Sequence, residues 1–166
     1  MTLVTIRRAG LADLGAVIEL LADTDALHRD ALPWLFQRTE GTHWKEFLEP
    51  FVTQPDRVMF LAVAADGALA GVTYMLLRPP ARAPIVKPAV VAELDSLAVN
   101  AAFRRQRIGT RLVEAALAWA KAAGATRTEL SVYEFNEPAR AFWASFGFET
   151  VSRRLVRHDS RDRAQS

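Results

Sequence analysis

The sequence predicts a mixed α/β layer fold: a central, mostly antiparallel sheet flanked by about four helices. Three observations carry this. Two apolar runs, "VMFLAVA" at 58–64 and "LAGVTYMLL" at 69–77, flank "ADGA", with Asp66-Gly67 at the turn, which is the pattern of a β-hairpin. Several segments space their apolar residues at helical intervals. The strand-like "VVAELDSLAV" at 90–99 leads into "FRRQRIGTRLVEAALAWAKAAG" at 103–124, where three arginines in four positions open an alanine- and leucine-rich helix.

In chain order, "VTIRRA" at 4–9 reads as a first strand, and Asp13 can cap a helix with Leu14, Val17, Ile18 and Leu21 on one face. Residues 26–41 read as irregular. Trp44, Phe47, Leu48 and Phe51 follow the i, i+3, i+4, i+7 spacing of a second helix that stops before Pro55. After the hairpin comes a proline-rich loop, then the strand and the arginine-led helix. "TRTELSVYE" at 126–134 reads as another strand. Asn136 can cap a helix carrying Ala139, Phe142, Trp143 and Phe146, and Gly147 fits its C′ position. "FETVSRRLVRH" at 148–158 reads as terminal strand material. We expect a single domain over 1–158 and a frayed tail over 159–166.

Composition narrows the function. With 166 residues and 51% apolar content, the chain can bury a full core. It has no cysteine, which removes disulfides, thiolate nucleophiles and thiolate-bound zinc. Its three histidines are scattered, so no metal site is expected. No apolar run is long enough to cross a bilayer, and the opening "MTLVTIRRAG" lacks a secretory pattern, so membrane association is not expected and the cytoplasm is the expected compartment. The net charge of +2 does not call for nucleic acid, because residues 153–166 alone contribute +3.

The arginines at 104, 105 and 107 oppose the rule for helix starts. That end of a helix already presents unpaired N–H groups and the positive end of its dipole. Extra positive charge there is explained by a bound anion, and phosphate is the natural one. Neither a Walker loop nor a G-x-G-x-x-G loop is present. What stands instead is Arg104-Arg105-Gln106-Arg107-Ile108-Gly109 after Leu97-Ala98-Val99, and downstream Asn136, Ala139, Phe142, Trp143, Gly147 and Phe148. This pair of motifs, in this order, resembles the GNAT superfamily of acyl-CoA-dependent N-acyltransferases, whose signatures are R/Q-x-x-G-x-G/A and Asn-x-x-Ala-x-x-Leu-Tyr-x-x-x-Gly-Phe.

The resemblance implies a sheet splayed after the fourth strand and acetyl-CoA as cosubstrate. It implies that the backbone from Arg105 through Gln106, Arg107, Ile108 and Gly109 to Thr110 wraps the CoA pyrophosphate, with Arg104 adding charge. It implies that Leu97, Ala98 and Val99 pair with the pantetheine arm like an added strand, that Val99 N–H donates to the reacting oxygen, and that Asn136, Ala139 and Trp143 belong to the coenzyme side. Two positions depart from the family. Arg107 replaces the usual first glycine; a positive φ there would cost an arginine about 1 kcal/mol, so we expect instead a helical backbone with the side chain toward solvent or the 3′-phosphate. Trp143 replaces a tyrosine that often protonates the leaving thiolate; an indole cannot do so.

Acetyl transfer to an amine needs a group that takes a proton, a donor for the oxyanion and a thiolate that can leave. Glu93 and Asp95 are two apart on one strand, so they are expected on one face, as base or ammonium anchor or, alternatively, in ion pairs with arginine. Tyr133 is a candidate replacement acid, against a packing role on a strand with Leu130 and Val132. His28, Trp34 and Phe36 fall in the segment that walls the acceptor pocket in the family. The leading function is direct transfer of acetyl from acetyl-CoA to a small-molecule or peptide amine in a ternary complex. The alternatives are a non-catalytic acyl-CoA-binding module and, third, a nucleic-acid-binding domain. A homodimer stays open, as do the acceptor, the acyl-chain length and the general acid.

Overall fold

The computed structural model describes residues 3–79, 81 and 83–158. Its contacts cluster into two compact units: Met1–Thr24 with Thr39–Leu130, and Asp25–Arg38 with Ser131–Ser166.

The first unit is built on a five-stranded sheet in the order β1-β2-β3-β4-β5: Val4–Arg8, Arg57–Ala64, Leu69–Leu77, Val91–Val99 and Arg127–Leu130. The first four strands run antiparallel to their neighbours, and β5 lies parallel to β4. The predicted hairpin is β2–β3, and the Asp66 carboxylate at its tip accepts the Ala68 N–H at 3.0 Å. One sheet face packs Met59, Leu61, Val72, Tyr74 and Ala98 against Leu14, Val17 and Leu21 of α1 (Leu14–Ala31), Leu48 of α2 (Gly41–Leu48) and Phe51 of α3 (Pro50–Thr53). The other packs Val4, Ala62 and Ala70 against Ile108 and Leu112 of α4 (Ile108–Ala122). Gly71 makes that approach close: a Cβ there would lie 3.0 Å from both the Ala98 carbonyl oxygen and Leu112 Cδ1.

In the second unit α5 (Glu137–Ser145) begins as predicted, the Asn136 carboxamide accepting the Ala139 N–H at 3.2 Å. Gly147 follows its end at φ +80°, the left-handed C′ conformation. Trp143 is 8% exposed among the rings of Phe142, Phe146 and Phe148.

Several boundaries differ from expectation. Asp13 closes a 3₁₀ turn (Leu11–Asp13) instead of capping α1; its carboxylate takes the Gly10 N–H at 2.8 Å and Arg7 Nη2 at 2.7 Å. α1 continues to Ala31, through residues read as irregular. Its apolar stripe ends at Leu21, but no breaker occurs before Pro33, so the backbone keeps its ladder after the pattern fades. The second helix comes in two pieces because Pro50 has no N–H to donate. The helix of the 103–124 stretch starts only at Ile108. β5 stops at Leu130, leaving Tyr133 off the strand expected to carry it. Residues 148–158 carry no assigned strand: Val151 and Leu155 are 95% and 89% exposed, and the segment lacks the period-two apolar face that a sheet would bury. The expected frayed tail at 159–166 lies outside the described residues.

Candidate active site

β4 is the strand on which the candidate chemistry is strung, and two irregularities shape it. Its register against β3 jumps from Tyr74↔Ser96 to Met75↔Leu94, so Asp95 is the extra residue of a β-bulge. The Thr73 hydroxyl, fully buried, donates to the Ser96 carbonyl at 2.7 Å and satisfies the backbone beside the bulge. The second irregularity is that β5 follows β4 only through the pair Leu94↔Leu130. From Asp95 to Val99 the strand has no β5 partner, which is the expected splay.

The direction of the free backbone groups follows from the ladder. Asn100 N–H donates to the Ala70 carbonyl at 3.0 Å. Pairs in an antiparallel ladder alternate between bonded and non-bonded, so Val99 and Leu97 fall in the non-bonded pairs opposite Gly71 and Thr73. Their N–H and C=O groups therefore turn away from β3, toward the edge that β5 leaves open. The Val99 carbonyl is reached there by Arg104 Nε, at 3.4 Å.

Beyond Val99 the Asn100 side chain accepts the Ala102 N–H at 3.0 Å and starts a 3₁₀ turn, Ala101–Phe103. The arginine loop follows. Arg105 and Arg107 both adopt φ +61°, and Arg107, at ψ 18°, is the N-cap of α4. The helical backbone expected at Arg107 is therefore corrected to left-handed. Alternation of left-handed and other residues turns successive N–H groups into one concavity, an anion-binding nest, and α4 begins directly on it. Ile108 anchors the helix start in the core, while Gly109 and Thr110 stay partly exposed. The guanidinium groups of Arg105 and Arg107 belong to exposed residues.

The two strand carboxylates have different fates. Glu93, opposite Leu76, receives Arg78 Nε in a short hydrogen bond, while Arg78 Nη1 reaches Glu129 at 2.7 Å and Arg127 Nε reaches Glu129 at 2.6 Å. This is the ion-pair alternative at a sheet face. Asp95 keeps an exposed edge and no ion pair among the described residues. Partial desolvation raises its carboxyl above the usual range, the Glu93 charge raises it further, and Arg57 pulls it back.

The second unit gathers three of the remaining candidates. His28, Phe36 and Tyr133 meet with ring centroids 5.3–5.4 Å apart, and Phe135 joins them, stacked on Tyr133 at 5.9 Å. Asp25, one helical turn before His28, has its carboxyl raised by burial against the lowering pull of Arg29 and His28. Trp34 stands apart from this group, edge-on to His158 at 4.4 Å. Ser145 donates to the Phe142 carbonyl at 2.6 Å.

Sequence reasoning missed Asn100, Phe135, Arg57 and Arg78. Asn100 had a signal, since an asparagine directly after a strand commonly opens an Asx turn. The others become visible only through their neighbours.

A mixed sheet that opens beyond Leu94, with an arginine-led nest between its fourth strand and the next helix, forms an anion-binding concavity beside a free strand edge. Comparison with known proteins agrees: the model of the acetyltransferase (GNAT) family matches residues 21–148, and the chain belongs to that family. The chain is 32% identical over 133 residues to the aminoglycoside N(6′)-acetyltransferase type 1 of Klebsiella aerogenes, spanning 74% of this chain and 86% of that protein. Among solved structures, the BH1408 protein of Bacillus halodurans superposes with a TM-score of 0.86 at 22% identity, covering 93% of this chain and 98% of that one. The aminoglycoside N-acetyltransferase AAC(6′)-Iy, solved with CoA, superposes with a TM-score of 0.70 at 17% identity, covering 96% and 97%. No helix among the described residues is long and apolar enough to cross a membrane.

Proposed function

We propose that the chain moves an acetyl group from acetyl-CoA to a small-molecule amine by direct attack in a ternary complex. The observation that carries this reading is the free edge of β4, with Val99 N–H turned outward, running into a nest with two left-handed arginines. The cosubstrate supplies the activated acetyl group. The amides from Arg105 to Thr110 hold its pyrophosphate, and Arg104, Arg105 and Arg107 add charge. Leu97, Ala98 and Val99 align the pantetheine arm along the edge. Val99 N–H donates to the carbonyl oxygen as it gains negative charge. Asp95 accepts the proton lost by the attacking amine, directly or through water, while Glu93 stays engaged with Arg78. Asn136 and Ala139 act by forming the start of α5. Trp143 serves packing, which its burial among phenylalanines supports. In the second unit Tyr133 is the candidate phenol for protonating a departing thiolate, and the ring group of His28, Phe36 and Tyr133 is the candidate acceptor wall, while Trp34, edge-on to His158, stands apart from it.

The Klebsiella relative supports a polyamine such as an aminoglycoside as the first acceptor to try. The cytoplasm, a compartment that holds acetyl-CoA, is the location that this reading proposes. The test is release of CoA thiol from acetyl-CoA across a panel of aminoglycosides, simple amines and peptide N-termini. Release with one amine and not with buffer supports transfer; tight CoA binding with no release on any amine favours the non-catalytic binding module.

A further inference from the structure

We propose that Arg78 is a positioning residue for acetyl transfer: it holds the Glu93 carboxylate toward Glu129 of β5 and so keeps it away from Asp95 and the amine that Asp95 serves. The proposal rests on the reading of Asp95 as the proton acceptor. Arg78 is the first residue beyond β3, and its N–H donates to the Val91 carbonyl at 2.8 Å, which seats it beside the start of β4. Its guanidinium then spans two strands: Nε meets Glu93 of β4, and Nη1 meets Glu129 of β5 at 2.7 Å. Those two acids lie opposite each other in the parallel register, where like charges repel. The planar fork of arginine offers each acid its own N–H edge, which a point charge cannot do. Arg127 Nε takes the other oxygen of Glu129 at 2.6 Å and fixes the far side of the clamp.

The clamp sits next to the proposed base. Along β4, Ala92 and Leu94 are buried while Glu93 and Asp95 are not, so both acids leave the strand on the face opposite Leu94. One more pair, Leu94↔Leu130, follows the clamp before β4 runs on without β5 at Asp95. Without Arg78, the Glu129 charge would drive Glu93 off β5, with Asp95 two residues further along. The sign of the effect on Asp95 is set: after desolvation, the Glu93 charge raises its carboxyl, and Arg57 of β2 lowers it. Among the other ionisable groups at this corner, Asp56 lies 3.9 Å from Arg57, and Tyr74 of β3 pairs with Ser96 beside the bulge. Lys87 lines a groove with Arg78, Arg127 and Glu129, while Lys45, Glu46 and Glu49 at α2 and α3 are exposed.

The test follows the Asp95 carboxyl ¹³C resonance of the intact chain through a pH titration, together with the acidic limb of kcat/KM for an amine that releases CoA thiol. Arg78→Met should raise the pH at which Asp95 ionises, and the limb should move up with it. At a pH on that limb kcat/KM should fall about threefold, the scale of one partly screened charge brought nearer, while the plateau at higher pH is kept. Arg78→Lys, which keeps a charge within reach of Glu93, should restore most of the original profile. Glu93→Gln should lower the Asp95 midpoint, and in that background Arg78→Met should change little, because the carboxylate that Arg78 holds is gone. A midpoint that Arg78→Met leaves in place, or shifts by as much without Glu93, overturns the role of Arg78 and leaves the acetyl-transfer reading intact. A kcat/KM that falls equally at every pH does the same, since the clamp would then only brace β5. A midpoint that moves beside a limb that stays put overturns Asp95 as the proton acceptor, and this role of Arg78 with it.

Discussion

Arg107 holds its left-handed conformation at a cost of about 1–2 kcal/mol, because a Cβ crowds the following carbonyl there. Arg107→Gly should therefore raise the melting temperature while weakening CoA binding, since it relieves the backbone and removes a charge. Thermal melts and calorimetric titration read the two effects, and a lower Tm would show that the arginine side chain stabilises the fold instead. Asp95 yields a pH prediction. It must be ionised to take a proton, and its carboxyl lies above the usual range, so kcat/KM should fall as pH drops through that raised value. Asp95→Asn should lower kcat/KM by roughly 10²–10⁴ and abolish this acidic limb, if Asp95 is the base. A loss confined to KM for the amine would make it an ammonium anchor. The arginines could be read from the sequence because charge at a helix start is a local anomaly. Their left-handed backbone was missed: arginine itself carries no sign of it, and the one hint, the glycine that the family usually has at position 107, was set aside for a helical reading.

At the scale of elements, the bulge in β4 depends on Thr73 as much as on Asp95. Thr73→Val keeps the shape but leaves the Ser96 carbonyl with one donor fewer in a fully buried place, which should cost about 1–3 kcal/mol in a denaturant melt. Asn136→Ala removes the cap of α5 and should cost about 1 kcal/mol by the same measurement. The cap and the β2–β3 hairpin were legible because each is written within a few residues, Asn136 to Ala139 and Asp66 to Ala68. The bulge was not, because register is a relation between Leu94–Ser96 and a strand some twenty residues away. Glu93 and Asp95 looked equivalent by period-two counting, yet one meets Arg78 and the other does not. The ends of α1 and β5 were misread for a related reason: apolar periodicity marks where an element packs, not where its hydrogen bonds stop.

For the whole molecule, acid stability should have a named contributor. The Arg7 hydrogen bonds hold the Asp13 carboxyl down at about 2, below the ~4 of an unfolded chain. A depressed carboxylate stabilises the fold fully above the unfolded value and loses that contribution as pH falls from ~4 toward ~2. Asp25 and Asp95, both raised, act in the opposite sense and favour the fold less once they ionise. Arg7→Gln should therefore lower Tm near neutrality and make it flatter between pH 4 and 2, whereas a parallel curve would assign the acid loss to other groups. The central claim is narrower: the nest between Val99 and α4 holds the coenzyme phosphates. Gly109→Glu tests it directly, because an acid in the first turn of a helix does not oppose the dipole, while its bulk and charge fill the cradle. Calorimetric titration of CoA into the chain and into Gly109→Glu, with circular dichroism confirming the fold of both, should give one saturable site in the first and none in the second. Equal CoA binding by a folded Gly109→Glu chain would contradict the account.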